Sequence, residues 1–361
     1  MKRFVALAAA VGFLAVASNA AAKNYTAYAG APPNLKTVAV KVLGAKLVGA
    51  VGKLKPGVNA FFPGKLTIHV GDSVTWINNG EHTIDLPPKG GSDLPFAVTG
   101  ASISGLKDAA GNAFWFNGLP SVMFNPMLAT AFGGHTYTGT SRVDSGFYEG
   151  SGTPPPFKVT FTKPGTYKYY CDIHTNMTGV IVVVPKNKPA ETAAQLNASI
   201  LAQQLTAIKT IVSVYNTRKI VPVNTVSVGK SGLGGVELFD MFPSKLTVNA
   251  GQIVKFEISK NSKEAHTVTF GPTSAFLTAL SNGLFVNYTD TQEGVYPSDD
   301  PANGPIPVSP NAHGNGFANI GLISNDRTVG PSSELVKFTT PGTYHYICLI
   351  HPFMIGTIVV K

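Results

Sequence analysis

Cys171-Asp172-Ile173-His174-Thr175-Asn176-Met177 and Cys348-Leu349-Ile350-His351-Pro352-Phe353-Met354 are two versions of one short sentence in a chain of 361 residues. Each sets a thiolate, an imidazole and a thioether at C-x2-H-x2-M spacing, and each follows a Pro-Gly-Thr-Tyr turn. The flanks repeat as well. Gly71-Asp72-Ser73-Val74-Thr75-Trp76 leads to His82-Thr83, and Gly251-Gln252-Ile253-Val254-Lys255-Phe256 leads to His266-Thr267. Phe62-Pro63 with Lys65-Leu66-Thr67 is echoed by Phe242-Pro243 with Lys245-Leu246-Thr247, so the chain holds an internal repeat and two related domains.

Between these signals the residues alternate as strands do. Leu66, Ile68 and Val70 alternate with Thr67 and His69; Tyr167, Tyr169 and Cys171 share one face, as do Tyr344, Tyr346 and Cys348. Each thiol is therefore expected to point inward with its tyrosines. Many short strands with Gly- and Pro-rich turns predict an all-β chain of two antiparallel β-sandwiches. The exception is residues 189–216, where Pro189 suits the first helical position and Glu191 the helix N-terminus. Ala194, Ala198, Leu201, Leu205, Ile208, Val212 and Tyr215 form an apolar stripe there, read as a connecting helix laid against one or both sandwiches.

The donor set points to a metal. Cys, His and Met are soft-to-borderline ligands that copper keeps in both Cu(I) and Cu(II), and a second His with a weak axial Met completes a blue-copper site. The candidate ligands are His82, Cys171, His174 and Met177 in one half and His266, Cys348, His351 and Met354 in the other. A lone buried Cys or Met is commonly structural. The joint order His, Cys, His, Met, found twice, weighs against that plain reading.

G-D-x-V-x-W followed by H-T, then P-G-T-Y-x-Y-x-C-x-x-H-x-x-M-x-G, resembles the cupredoxin family, with ligand loops most like those of amicyanin and plastocyanin. The resemblance covers roughly residues 60–84, 157–184, 240–270 and 335–361. It implies two tandem cupredoxin-like Greek-key sandwiches and two type 1 copper ions. It further implies that the ring edge of His174 or His351 is the exposed exit for an electron, with His82 and His266 the deeper ligands. Each upstream His should have its tautomer fixed by a neighbour at the other ring nitrogen. The stretches at about 85–156 and 271–334 are longer than in small single-domain members and read as inserts. They are rich in Gly, Pro and Phe, as in Phe114-Trp115-Phe116, Phe124-Asn125-Pro126-Met127 and Asn282-Gly283-Leu284-Phe285. Ordered packing over the sandwich is expected of them, with shielding of the metal or a docking surface as further uses.

The remaining chain organisation follows. Residues 1–22 read as a signal peptide, with a basic start at Lys2-Arg3, an apolar run too short to span a bilayer, and cleavage candidates at Ser18-Asn19-Ala20 and Ala20-Ala21-Ala22. Residues 23–185 and 222–361 are the two cupredoxin-like domains, and 186–221 the helical linker. A periplasmic or secreted location is expected after cleavage, and no later run reads as a membrane span. Both of the 2 cysteines serve as ligands, leaving none for a disulfide. The formal charge of +9 is spread over scattered lysines, which reads as a mildly basic surface, with steering toward an acidic redox partner as an extra use; export argues against nucleic acid.

Function follows as electron carriage between redox protein partners by a chain expected to be monomeric. A copper carrier or buffer, or an accessory subunit of an oxidoreductase, is the alternative. An enzyme is not expected: Tyr170, Asp172, Ile347 and Leu349 flank the cysteines, where multicopper enzymes of the resembling kind place histidines. His69, His345, His135 and His313 read as solvated, and Met123 and Met127 as core filler. Leu349, Pro352, Phe353 and Ile355 make the second loop apolar, suggesting a docking patch. Asp172, Thr175, Asn176 and Thr178 make the first polar, from which a lower potential at the first centre is expected.

Overall fold

The computed structural model describes residues 21–99, 109–112, 122–148, 152–272, 298–300, 302 and 304–361. Two β-sandwiches account for most of them. In the first, one sheet orders the strands Phe61–Phe62, Asn24–Ala29, Ser73–Asn78, Phe157–Phe161 and Thr136–Tyr137. The facing sheet orders Val143–Asp144, Asp85–Leu86, Gly165–Tyr170, Thr178–Val184 and Lys65–His69. Leu66, Ile68, Tyr169 and Ile181 from the second sheet meet Val74, Trp76, Val159 and Phe161 from the first in one buried core. The period-two pattern read from the sequence is thus the inward face of these strands.

The second sandwich repeats the plan. Thr225–Gly232 runs parallel to Ile253–Ile258, as Asn24–Ala29 does to Ser73–Asn78. Lys245–Val248 runs parallel to Ile355–Val360, as Lys65–His69 does to Thr178–Val184. Its core gathers Val254, Phe256, Phe270, Val336, Phe338 and Tyr346. The Phe62-Pro63 and Phe242-Pro243 peptide bonds are both cis. One strand crosses the repeat: Pro56–Val58, from the first half of the sequence, pairs antiparallel with Val236–Phe242 at the edge of a second-half sheet.

Among the described residues three α-helices interrupt the strands: α1 (Leu35–Leu43), α2 (Ala45–Gly52) and α3 (Ala193–Thr217). The first two correct the expectation that strands fill everything outside the linker. The third begins later than Pro189 suggested. Thr192 is its N-cap, forming a reciprocal capping box with Gln195 that satisfies otherwise orphaned backbone donors. Its buried face is Leu196, Gln204, Ala207, Ile208, Ile211 and Val214, a stripe rotated from the expected one; Leu201 is exposed. The polar residues explain the rotation. Gln203 donates to the Phe61 carbonyl at 2.6 Å and Gln204 to Asn34 Oδ1 at 2.7 Å, so two glutamines face protein and an alanine-rich surface faces water.

Helix α3 and the strand Val236–Phe242 share a buried cluster with Val51, Val58 and Phe62, joining the halves along one side. Phe96, Phe124 and Leu128 of the first insert pack on Phe317, Leu322, Ile347 and Leu349 on another. Phe96 and Phe124 of the first insert are therefore ordered packing between the halves. Phe114-Trp115-Phe116, Asn282 to Phe285, most of the expected signal peptide and the Met123 side chain lie outside the described residues.

Candidate metal centres

Each candidate loop hangs between two paired strands. Gly165–Tyr170 ends just before Cys171 and Thr178–Val184 starts just after Met177; Gly342–Ile347 and Ile355–Val360 flank the second loop in the same way. The loops are closed by two backbone bonds. Cys171 N–H donates to the Met177 carbonyl at 3.0 Å and Met177 N–H to that of His174 at 3.0 Å; the bonds of Cys348 to Met354 and Met354 to His351 measure 3.1 and 2.8 Å. Asn176 closes the first loop at φ 58, a left-handed conformation that asparagine tolerates.

The His-Thr pairs do more than bring an imidazole. Thr83 N–H donates to Cys171 Sγ at 3.4 Å, and Thr267 N–H to Cys348 Sγ at 3.4 Å, tying each sulfur to the segment of its upstream His. The hydroxyls anchor the ligand loops: Asp172 N–H donates to Thr83 Oγ1 at 2.8 Å and Leu349 N–H to Thr267 Oγ1 at 2.7 Å.

Six of the eight candidate ligands are brought to two places. His82, Cys171 and His174 converge with ligand atoms within 4.8 Å of one another, as do His266, Cys348 and His351. In the first centre Cys171 Sγ stands 3.8 Å from His82 Nδ1 and 3.5 Å from His174 Nδ1, and the two Nδ1 atoms are 3.1 Å apart. In the second the corresponding distances are 3.7, 3.8 and 3.2 Å. Met177 and Met354 are buried and belong to the same cores as the cysteines. The fit to copper rests on this donor set. Two ring nitrogens and a sulfur aimed at one buried point form, once deprotonated, a donor set compatible with a soft-to-borderline cation. Burial raises the Cys348 thiol, but hydrogen bonds from His266 and His351 outweigh it and hold the thiol well below its usual range. Both cysteines are free.

The far side of the downstream rings corrects the expected exit. His174 is only 5% exposed, and its Nε2 lies 3.3 Å from Glu264 Oε1. His351 Nε2 lies 3.8 Å from Glu264 Oε2, with 15% of the side chain exposed. At His174 a residue of the second half occupies the face expected to be open, and at His351 the same carboxylate lies within its own half. Burial would raise the Glu264 carboxyl, but His174 first, then His351 and His266, hold it below the usual carboxylate range. His174 is raised well above its ordinary value: burial opposes this, and Glu264 followed by Cys171 overcomes it. His82 is lowered well below its ordinary value, by burial and then by His174.

The expected partner of the upstream rings is missing at His266, whose buried Nε2 has no hydrogen-bond partner among the described residues. Glycines stand there instead. A Cβ on Gly30 would lie 2.6 Å from His82 Nε2, and one on Gly229 would lie 3.2 Å from His266 Nε2. Close backbone approach at positive φ, +82° and +76°, orients these rings by packing.

Asp172 also departs from expectation. It is buried beside Asp85 and Asp144, with Arg142 paired to Asp85 and Leu94 N–H donating to Asp172 at 2.8 Å. Burial, then Asp172 and Asp144, pushes Asp85 up to about 9; burial, then Asp172, pushes Asp144 up to about 8. Burial raises Asp172 too. The first loop is therefore not a hydrated anionic shell, which removes the ground for a lower potential at that centre. In the second loop Leu349 is buried between the halves, while Phe353 is 43% exposed beside Lys55, so only part of the apolar patch faces water.

The other histidines stay apart from both centres. His135 is exposed and bonded to the Lys158 carbonyl, His345 is exposed and bonded to Thr357, His69 is half-buried against Lys188 and Asp72, and His313 pairs with Asp299 at 2.6 Å. Met127, expected in the core, is 54% exposed. Sequence reading missed Glu264. Its signal was an asymmetry: two residues before His266 stands a glutamate, and two before His82 stands Gly80.

No family model and no curated protein matches the chain. Among solved structures, an oxidized form of plastocyanin from Dryopteris crassirhizoma is 24% identical, with a TM-score of 0.21, over 38% of this chain and 99% of that chain. A reduced mutant of amicyanin is 17% identical, with a TM-score of 0.21, over 40% of this chain and 89% of that chain. Each likeness, to plastocyanin and to amicyanin, covers about two fifths of this chain.

Proposed function

We propose that the protein is an exported two-domain blue-copper carrier that passes single electrons between redox partner proteins. His82, Cys171, His174 and Met177 would hold one copper ion, and His266, Cys348, His351 and Met354 a second. The observation that carries this reading is the pair of buried triads, each with two Nδ1 atoms 3.1–3.2 Å apart facing one sulfur. Copper supplies a one-electron Cu(I)/Cu(II) couple to such a set. The chain's own contribution is rigidity. Each loop is pinned by backbone bonds and a Thr hydroxyl inside a packed sandwich, so the donors have little room to rearrange when the charge changes. Export is supported by the basic and apolar start of the sequence. Among the described residues no helix is long and apolar enough to cross a membrane.

The test is a titration of the purified chain with cupric salt, followed by optical absorption and electron paramagnetic resonance. Two equivalents should bind and produce an intense thiolate-to-copper band. Cys171→Ser and Cys348→Ser should each remove about half of it, since the band belongs to the copper–thiolate bond. A folded chain that stays colourless refutes the reading.

A further inference from the structure

Glu264 belongs to neither ligand set, yet its two carboxylate oxygens face one ligand of each. Oε1 is 3.3 Å from His174 Nε2 and Oε2 is 3.8 Å from His351 Nε2, while the Nδ1 atoms of both rings face their own sulfur. A ring bound to metal through Nδ1 carries its proton on Nε2. His174 would then donate to the carboxylate, while the Nε2–H of His351 would face its other oxygen at ion-pair distance, 3.8 Å.

The surroundings hold that carboxylate in place. Asn59 Nδ2 donates to Glu264 Oε1 at 2.6 Å from the first half of the chain. Glu264 N–H donates to Ser262 Oγ at 3.2 Å, and Lys263 N–H to Glu237 Oε1 at 2.9 Å. The first ligand loop docks on the same turn: Thr175 N–H donates to the Lys263 carbonyl at 2.9 Å, and Lys263 Nζ returns bonds to the Thr175 and Asn176 carbonyls. A carboxylate only 7% exposed is costly to bury, and the first copy of the repeat does without one, its acidic residue before the upstream His, Glu81, being exposed. A clamp between the halves needs no contact with two ligand rings.

Resting on the copper reading above, we propose that Glu264 joins the two centres into one coupled pair, its single anion acting on both and forming the bridge by which an electron passes between them. Cu(I) in one centre becomes Cu(II) as Cu(II) in the other becomes Cu(I); no bond is made or broken and no proton leaves. Glu264 is a positioning residue for both rings. His351, with Phe353 beside it, is the less enclosed of the two, so the first centre exchanges electrons with partners through the second.

The experiment uses the full chain loaded with copper, and Glu264→Gln. Glutamine keeps the size but offers one oxygen, so it accepts from one ring and sets an amide NH2 against the other. In a redox titration, loss of the anion should shift the Cu(I)/Cu(II) preference of both centres toward Cu(I), each by about tenfold, the scale of outer-shell effects on a metal site. Flash reduction should reveal a relaxation between centres that is independent of protein concentration in the unsubstituted chain and about tenfold slower or more in the variant. A purely structural clamp would move neither. The bridge is overturned if either centre's preference is unmoved, if the relaxation is unchanged in the variant, or if it scales with concentration in the unsubstituted chain. That last measurement decides the matter even if the variant fails to fold. Failure of the copper reading itself is told apart beforehand, because such a chain has no colour to bleach.

Discussion

Replacing Gly356 with alanine tests how the second centre is held. Gly356 stands opposite Tyr346 in the ladder between Gly342–Ile347 and Ile355–Val360. An added Cβ would lie 2.1 Å from Tyr346 Cζ and 2.2 Å from its Oη, far inside van der Waals contact. The ring cannot swing aside cheaply. It is fully buried, with Phe256 and Phe270 rings at 5.3 and 5.2 Å. One strand or the other must move by about an ångström, and Cys348 and Met354 are the loop residues directly joined to them. Overpacking of this kind costs about 1–3 kcal/mol, and the closeness of the contact places Gly356→Ala at the upper end, roughly 3 kcal/mol. For a unit of this size that is a fall of roughly 6–12 °C in Tm. The assay is thermal unfolding with the copper–thiolate band recorded alongside, and the band should shift or weaken. Gly49→Ala is the control: it lies in α2 with nothing within 4 Å of the new Cβ, and should gain roughly 0.5–1 kcal/mol from helix propensity. Should Gly356→Ala melt as the parent does with an unaltered band, the account of a ring wedged under the ligand loop is wrong.

Gly179→Ala, whose Cβ would fall 2.3 Å from the Tyr169 ring, should perturb the first centre in the same sense, seen as loss of the band that Cys171 contributes. Thr192→Ala removes the α3 capping box and should cost about 1 kcal/mol in denaturant unfolding. Leu349→Ala empties a buried position between the halves and should cost about 2–5 kcal/mol. Asp144 is raised from 3.8 to about 8 by burial and then by Asp172, so the folded chain binds its proton more tightly than the unfolded chain. Its contribution is therefore complete below pH 3.8 and is lost progressively as pH rises to about 8. Asp144→Asn should flatten that part of the Tm-against-pH profile; an unchanged slope would mean the carboxyl is ionised in the fold.

The two His/Cys/His clusters were legible because their residues sit in short motifs whose spacing survives in one dimension, and because the repeat shows each motif twice. The sandwiches were legible because alternating faces such as Leu66 and Ile68 are buried on one side only. What escaped is whatever depends on the halves meeting. The resemblance to single-domain proteins implied open edges on His174 and His351, yet the turn at Lys263-Glu264 covers them. Valine-rich residues 35–52 suit strands by composition, but Leu35, Leu47 and Val51 pack with α3, and tertiary contact decides for helix. The same competition turned the face of α3, where alanines fix no side and glutamines found partners. Asp172 read as solvated because its companions Asp85 and Asp144 lie 87 and 28 positions away.

The strand Pro56–Val58 laces the two halves across their sequence order. Its pairing with Val236–Phe242 is reinforced by Asn59 N–H donating to the Gly235 carbonyl at 2.7 Å. A protease nicking the exposed stretch Lys186 to Lys188 would thus sever the backbone without releasing either piece. The fragments should travel together in a sizing column and part only in denaturant. Dissection at the linker is accordingly a poor way to obtain one half, since each fragment would carry away or leave behind an edge that its counterpart needs.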